Sequence, residues 1–223
     1  MRLKEENSFD NFYVADKNKL ALASINQCLQ EQGDWFLYLW GGHQAGLTHV
    51  LQACCRQMAV QNELAFYLPM DELVQSPTDI LDNLETYQLV CIDNIDCVAN
   101  EPAWQEALFH LYNKIKQHNG RLIVSSHCAP ALLDFSLSDL KSRLSAGTTF
   151  NVHALDDVEK MQALKQRFLL RGLKANDEVL NFVLRRSDRN MAALMDTLEQ
   201  LDGRAFDERR KLTIPFVKEV MNW

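Results

Sequence analysis

Short apolar runs recur along the N-terminal part of the chain and alternate with stretches of helical periodicity. The runs lie at residues 36–40, 64–68, 89–93, 122–126 and 149–152. Unbroken apolar runs of this kind are typical of strands buried on both faces of a sheet. Because strands that alternate with helices form parallel sheets, the pattern predicts an α/β domain with three layers, αβα. Ligands of such sheets bind at the carboxyl ends of the strands, where we expect Gly41, Asp93 and Ser126 to meet.

The strand-like runs stop in the C-terminal part of the chain, and helical patterns replace them. Asp156 and Glu159 have the spacing of a capping box, and they predict a helix that Gly172 closes. Three further helices are predicted, at 177–186, at 189–201 and from residue 213 onwards. We therefore expect an α/β domain over residues 1–153 and a small, all-helical domain over residues 154–223.

A glycine-rich turn lies between the first predicted strand and the helix that follows it. It consists of Gly41, Gly42, His43, Gln44, Ala45, Gly46, Leu47, Thr48 and His49. The turn follows the pattern G-x-x-x-x-G-K-[ST], in which backbone N–H groups at the start of a helix hold phosphates. Leu47 replaces the lysine of this pattern and removes the positive charge beside the terminal phosphate. Thr48 keeps a hydroxyl that can bind Mg²⁺, so the turn predicts weakened nucleotide binding without efficient hydrolysis.

An acidic residue, Asp93, ends the third predicted strand, where it would hold the water shell of a magnesium ion. In active hydrolases of this type the next residue is usually a carboxylate that orients the attacking water. Here that residue is Asn94, and an amide cannot accept the proton. Leu47 and Asn94 therefore indicate a nucleotide-binding fold that does not turn over its own nucleotide. The alternatives are a glycine turn that binds nothing and an aspartate that only caps a strand-end turn.

The composition is that of a folded protein, and the negative net charge favours a protein partner over nucleic acid. The chain has 223 residues, of which 47% are hydrophobic, and a formal net charge of −7. Its basic runs near Arg185 and Arg210 are short, so we expect little direct DNA binding. No apolar run approaches the roughly 20 residues of a membrane span, and we expect a cytoplasmic protein with no membrane contact. The six cysteines show no C-x-x-C spacing and are expected to be reduced core residues, and the histidines lack metal-ligand spacing.

The order of these motifs resembles an AAA+ module, and more closely the replication initiator DnaA and its paralogues of the Hda family. Besides the glycine turn, the resemblance rests on segment 9–12 followed by Asn18, and on segments 139–144, 188–191 and 210–220. The first resembles a segment that lies against the adenine, which implies nucleotide contacts from Phe12 and Tyr13. The second resembles the box VII segment, which carries an arginine finger at the position of Arg143. The third occupies the sensor II position, which implies that Arg189 contacts the phosphates of the nucleotide.

The resemblance also implies a function. Together with the DNA-loaded sliding clamp, Hda proteins stimulate DnaA to hydrolyse its bound ATP. Arg143 would then act in trans, and the chain itself would bind a nucleotide such as ADP, with Mg²⁺ held through Thr48 and Asp93. The family docks on the clamp through a Gln-Leu-x-Leu-Pro peptide, which residues 1–8 do not contain.

Other assignments stay open at the level of the sequence. One is an autonomous AAA+ ATPase that acts as a helicase loader or as a clamp-loader-like factor. Another is direct DNA binding by the helical domain, which the negative net charge disfavours. AAA+ modules commonly pair head to tail, so a homodimer that covers Arg143 is a further expectation.

Overall fold

The computed structural model describes residues 7–172, 176–188 and 190–223. The chain divides into two compact units, Met1–Ala154 and Leu155–Trp223. No helix of the described residues is long and apolar enough to cross a membrane.

A five-stranded parallel sheet forms the centre of the first unit. Its strands are β1 (Phe36–Trp40), β2 (Ala65–Pro69), β3 (Leu89–Asp93), β4 (Arg121–Ser126) and β5 (Thr148–Asn151). These bounds agree with the predicted runs to within one residue. The strand order is β2-β3-β4-β1-β5, so β4 lies between β1 and β3. The segments that follow these three strands are therefore neighbours at the carboxyl edge of the sheet.

Helices cover both faces of the sheet and confirm the predicted three-layer fold. The helices of this unit are α1 (Lys19–Leu29), α2 (Leu47–Val60), α3 (Met70–Leu73), α4 (Pro102–Gln117) and α5 (Ser138–Ser145). Alternate residues of β1, β3 and β4 enter two separate apolar clusters, one with α1 and α2 and the other with α4 and α5. Burial on both faces explains why these strands lack polar alternation.

The cysteines follow this layering with one exception. Cys28, Cys54, Cys55 and Cys91 are buried in the layer of α1 and α2, and burial raises the pKa of the Cys28 thiol to about 12. The prediction that all six belong to the core is wrong for Cys97, which is exposed. It lies in the short 3₁₀ turn Ile95–Val98 after β3, where the chain has left the sheet.

The second unit is helical in its described residues. It contains α6 (Asp157–Leu170), α7 (Asp177–Arg186), α8 (Met191–Glu208) and α9 (Ile214–Met221) around its own apolar core. The predicted capping box is present, because Asp156 and Glu159 each accept a backbone N–H bond from the other at 2.8 Å. Gly172 follows α6 with a φ of +71°.

Helix α8 is longer than predicted and does not end at Leu201. Leu201 and Ala205 are both buried, so the apolar stripe continues for another turn. The Cβ position of Gly203 faces open space, and the helix passes through this residue. It ends at Glu208, and Arg209 takes the left-handed conformation that closes it. Burial of the stripe outweighs the roughly 1 kcal/mol that a glycine costs inside a helix.

Candidate functional site

The glycine turn joins β1 to α2 at the carboxyl edge of the sheet and is held tightly at its start. The N–H of Gly41 donates to the carbonyl of Ser126 in β4 over 3.2 Å. A Cβ atom on Gly41 would lie 2.3 Å from the carbonyl oxygen of Val152, so only glycine fits between β4 and the segment after β5. Gly42 differs, because a Cβ atom there would meet nothing within 4 Å.

The rest of the turn presents backbone donors. Gln44 and Gly46 have φ values of 70° and 85°, which turn the chain into the start of α2. Among the described residues, the N–H groups of 42–44 and 46–48 donate to no backbone carbonyl. Successive free N–H groups in a turn of this kind, at the positive end of a helix, form a cradle for an anion.

The side chains at the start of α2 keep the hydroxyl of the phosphate-loop pattern but not its positive charge. Leu47 is 7% exposed and packs into the apolar cluster beneath the turn. The side chain of Thr48 is exposed at the turn itself. The lysine position of the pattern is thus filled by an apolar contact with the core, while the hydroxyl position stays open to a ligand.

The segment before α1 lies against the start of α2. A Cβ atom on Gly46 would lie 3.1 Å from the ring of Phe12, whose centroid is 5.2 Å from that of His49. The Nε2 atom of His49 is 2.9 Å from the carbonyl oxygen of Ser8. Tyr13 follows in the same segment and is half-buried. The structure therefore brings Phe12, predicted to contact a nucleotide, next to the glycine turn.

Asp93 ends β3 as a buried carboxylate that two hydroxyl groups hold from neighbouring strands. Tyr67 of β2 donates to one carboxylate oxygen over 2.6 Å, and Ser125 of β4 donates to the other. Burial and the nearby carboxylate raise the pKa of Tyr67 above its ordinary value, so the phenol remains a donor. Each carboxylate oxygen keeps a further lone pair, which leaves Asp93 able to accept a bond from magnesium-bound water.

Asn94 adopts the left-handed conformation, with φ 56° and ψ 49°. Its N–H donates over 3.0 Å to the hydroxyl oxygen of Ser125, which itself donates to Asp93. Asparagine is among the residues that tolerate this conformation best. Asn94, which stands where active hydrolases have a carboxylate, therefore also suits the sharp turn after β3.

We predict that Ser125→Ala lowers the free energy of unfolding by about 1 to 3 kcal/mol. The substitution leaves the N–H of Asn94 and one oxygen of the buried Asp93 without their partner. Urea denaturation measures the change, with Ser142→Ala on the exposed side of α5 as the matched control, expected within about 0.5 kcal/mol of wild type. An equal free energy of unfolding for the two variants would show that the Ser125 hydroxyl does not stabilise the fold.

A group that sequence patterns do not connect lies beside the glycine turn. The backbone N–H of His127 is 3.1 Å from one carboxylate oxygen of Asp96, and its ring Nδ1 is 3.0 Å from the other. The ring of His43 lies across from that of His127, with centroids 4.7 Å apart. The three residues follow β1, β3 and β4, so only the strand order, absent from any local pattern, brings them together.

Arg143 lies in the last turn of α5, away from the glycine turn in sequence. Leu140 and Leu144 bury the inner face of this helix, and the Arg143 side chain is exposed on the outer face. Within the described part of the chain it forms no ion pair or hydrogen bond through its guanidinium group. Arg189, the residue predicted at the sensor II position, lies outside the described residues.

The strand order, the phosphate-loop geometry after β1, the buried acid at the end of β3 and the helical second unit together define an AAA+ ATPase-like module. Two family models account for nearly the whole chain. Residues 3–151 match the bacterial DnaA ATPase domain, and residues 157–221 match the lid domain of Hda. The chain therefore belongs to the family of DnaA-related AAA+ proteins, in its Hda branch.

Solved structures show the same fold. Domain III of the Thermotoga maritima initiator DnaA superimposes with a TM-score of 0.79 at 20% identity, covering 100% of this chain and 98% of that one. AMPPCP-bound DnaA from Aquifex aeolicus gives a TM-score of 0.76 at 20% identity, over 93% of this chain and 68% of the other. The Thermotoga maritima branch migration motor RuvB gives 0.69 at 15% identity, over 97% and 71%. Identities this low establish the architecture alone.

Proposed function

We propose that this protein switches off replication initiation by stimulating the ATPase of the initiator DnaA. In this proposal it acts in the cytoplasm together with the sliding clamp loaded on DNA. The arginine finger Arg143 enters the nucleotide site of DnaA in trans, and DnaA is left with ADP. The match of residues 157–221 to the lid domain of Hda supports this assignment, together with the match of residues 3–151 to the bacterial DnaA ATPase domain.

The observation that carries the proposal is the state of Arg143. Its guanidinium is exposed and has no ion-pair partner among the described residues, while Leu140 and Leu144 fix its helix to the core. An exposed arginine on a rigid helix can enter a partner's site without first breaking a bond in its own protein. A finger of this kind is worth roughly 10³ to 10⁵ in the rate of phosphoryl transfer.

The chain itself is proposed to bind a nucleotide, ADP, without efficient turnover. The N–H groups of 42–44 and 46–48 and the open space above Gly42 are proposed to hold the phosphates. Phe12, which lies against Gly46 and His49, and Tyr13, which follows it, are proposed to contact the base. Thr48 and Asp93 would hold Mg²⁺, which would screen the phosphate charge. The similarity to AMPPCP-bound DnaA supports a nucleotide at this position.

The same site disfavours an autonomous ATPase, the competing assignment. Leu47 is buried and cannot supply a charge to the terminal phosphate. Asn94 cannot accept a proton from the attacking water. Arg189, at the sensor II position, is proposed to contact the nucleotide phosphates. Pairing with a second copy would cover Arg143 and is proposed as a resting state.

Reconstitution tests the proposal. ATP-loaded DnaA is incubated with this protein and with clamp loaded on DNA, and hydrolysis of the bound ATP is followed. We expect hydrolysis to accelerate only when all three components are present. An unchanged rate in the complete mixture would reject the proposed function.

A further inference from the structure

The phosphate loop lacks its lysine, but two imidazole rings stand next to it. His43 lies within the loop, and His127 directly follows β4. Strand β1 pairs with β4 so that Trp40 is opposite Ser126, which places the residues after these two strands side by side. The ring centroids of His43 and His127 are 4.7 Å apart, with the planes inclined at 46°. The pair therefore stands beside the free N–H groups of the loop.

Asp96 fixes the orientation of His127. Although burial acts to raise it, hydrogen bonds from His127 hold the pKa of Asp96 below its ordinary value, so Asp96 is a carboxylate. A carboxylate only accepts hydrogen bonds, and the Nδ1 atom of His127, 3.0 Å away, must therefore carry a proton and donate it. The Nε2 atom is left as the nitrogen that can gain or lose a proton. The side chain of His127 is 37% exposed, so a solvent-borne ligand can reach it.

We propose that His43 and His127 are the side chains that contact the phosphates of a nucleoside diphosphate in this loop, taking up one proton as the ligand binds. The inference rests on the proposed nucleotide binding and assigns to these residues the charge that Leu47 does not provide. An imidazolium donating from Nε2 to a phosphate oxygen forms a charge-assisted hydrogen bond. Asp96 stabilises that cation from the opposite side of the ring.

The surrounding charges set the direction of the pH dependence. The carboxylate of Asp96, which contacts His127 directly, faces the pair. It repels a phosphate when both rings are neutral. Two adjacent imidazolium rings would repel one another, so the pair gains a single proton. Since histidine changes charge between about pH 5 and pH 8, affinity for the diphosphate rises as the pH falls through this range.

Calorimetric titration of the full chain with ADP tests the inference. We expect the dissociation constant to be roughly tenfold smaller at about pH 6 than at about pH 8, the effect of one charge-assisted hydrogen bond. Titrations in two buffers of different ionisation enthalpy count the protons taken up, and we expect about one per ADP near neutral pH.

Variants separate the charge from the shape of the site. His127→Gln should bind at both pH values with the weak affinity of wild type at high pH, and His43→Gln should reduce the pH effect in the same sense. His127→Lys should restore tight binding at about pH 8, because its charge persists there. His110→Gln, a change at an exposed histidine of α4, is the matched control and should behave as wild type.

Tight wild-type binding that does not vary with pH, or a His127→Gln variant with an unchanged pH profile, would overturn the histidine assignment and leave the proposed function standing. Failure of wild type to bind ADP at any pH would overturn both the assignment and nucleotide binding by the loop. If His127→Gln is unfolded by circular dichroism, His43→Gln and the count of protons in wild type decide the matter.

Discussion

Arg143→Ala is expected to abolish the stimulation of DnaA-bound ATP hydrolysis, with a loss of roughly 10³-fold or more when stimulation is complete in wild type. The reason is electrostatic: the guanidinium neutralises charge that develops on the transferred phosphoryl group, and alanine leaves that charge in place. The fold should be unaffected, since the side chain is exposed and makes no ion pair with the described residues. Hydrolysis of ATP preloaded on DnaA, with clamp and DNA present, measures the loss.

Two further variants make this result specific. Arg143→Lys keeps a positive charge but loses the planar fork, so we expect only partial stimulation. Arg185→Ala removes another exposed arginine, from α7, and serves as the control, with stimulation expected at the wild-type level. Equal stimulation by wild type and by Arg143→Ala would remove this residue from the mechanism.

Gly41→Ala is expected to cause the largest loss of stability that a single methyl group can produce in this site. The added Cβ atom would lie 2.3 Å from the carbonyl oxygen of Val152 and 2.8 Å from the Cβ atom of Ala45. Either the end of β5 or the start of the loop must move, at a cost of about 3 kcal/mol. For a chain of this size that corresponds to a fall in melting temperature of roughly 6 to 12 °C.

Gly42→Ala is the matched control, one residue further along the same loop. A Cβ atom there meets nothing within 4 Å, so the melting temperature should stay within about 2 °C of wild type. Thermal unfolding followed by circular dichroism compares the two variants. If both melt at the same temperature, the close approach of Val152 does not restrict the loop.

Much of the architecture could be predicted from local patterns. The central strands β1, β3 and β4 are buried on both faces, so each appears as an apolar run whose limits are visible in the sequence. The start of α6 was predictable because Asp156 and Glu159 satisfy each other's backbone donors through side chains only three residues apart. Local hydrogen bonding and local burial therefore explain most element boundaries.

The contacts that shape the site could not be predicted in this way. Asp93 is held by Tyr67 and Ser125, and His127 is held by Asp96. These partners are far apart in the sequence and become neighbours only through the order of the strands in the sheet. Nothing local indicates which strands are neighbours in a sheet. Sequence motifs indicate the loop and Asp93, whereas the position of His127 beside the loop depends on the pairing of β1 with β4.

Leu47 shows what the structure adds to a pattern. The sequence indicates only that a charge is missing at this position. The structure shows that the side chain packs into the core at 7% exposure, so the substitution exchanges a ligand contact for burial of apolar surface. The predicted role of Arg143 depends on a partner protein, and a single chain cannot reveal that partner's site.

An isotope experiment decides whose nucleotide is cleaved. DnaA is preloaded with ATP labelled in its γ-phosphate and mixed with this protein, DNA-loaded clamp and an excess of unlabelled ATP. We predict a rapid release of labelled phosphate, up to one per DnaA, without a matching release of unlabelled phosphate. Continuous production of unlabelled phosphate in proportion to this protein, with the label retained on DnaA, would show that the chain hydrolyses its own nucleotide and would contradict the account.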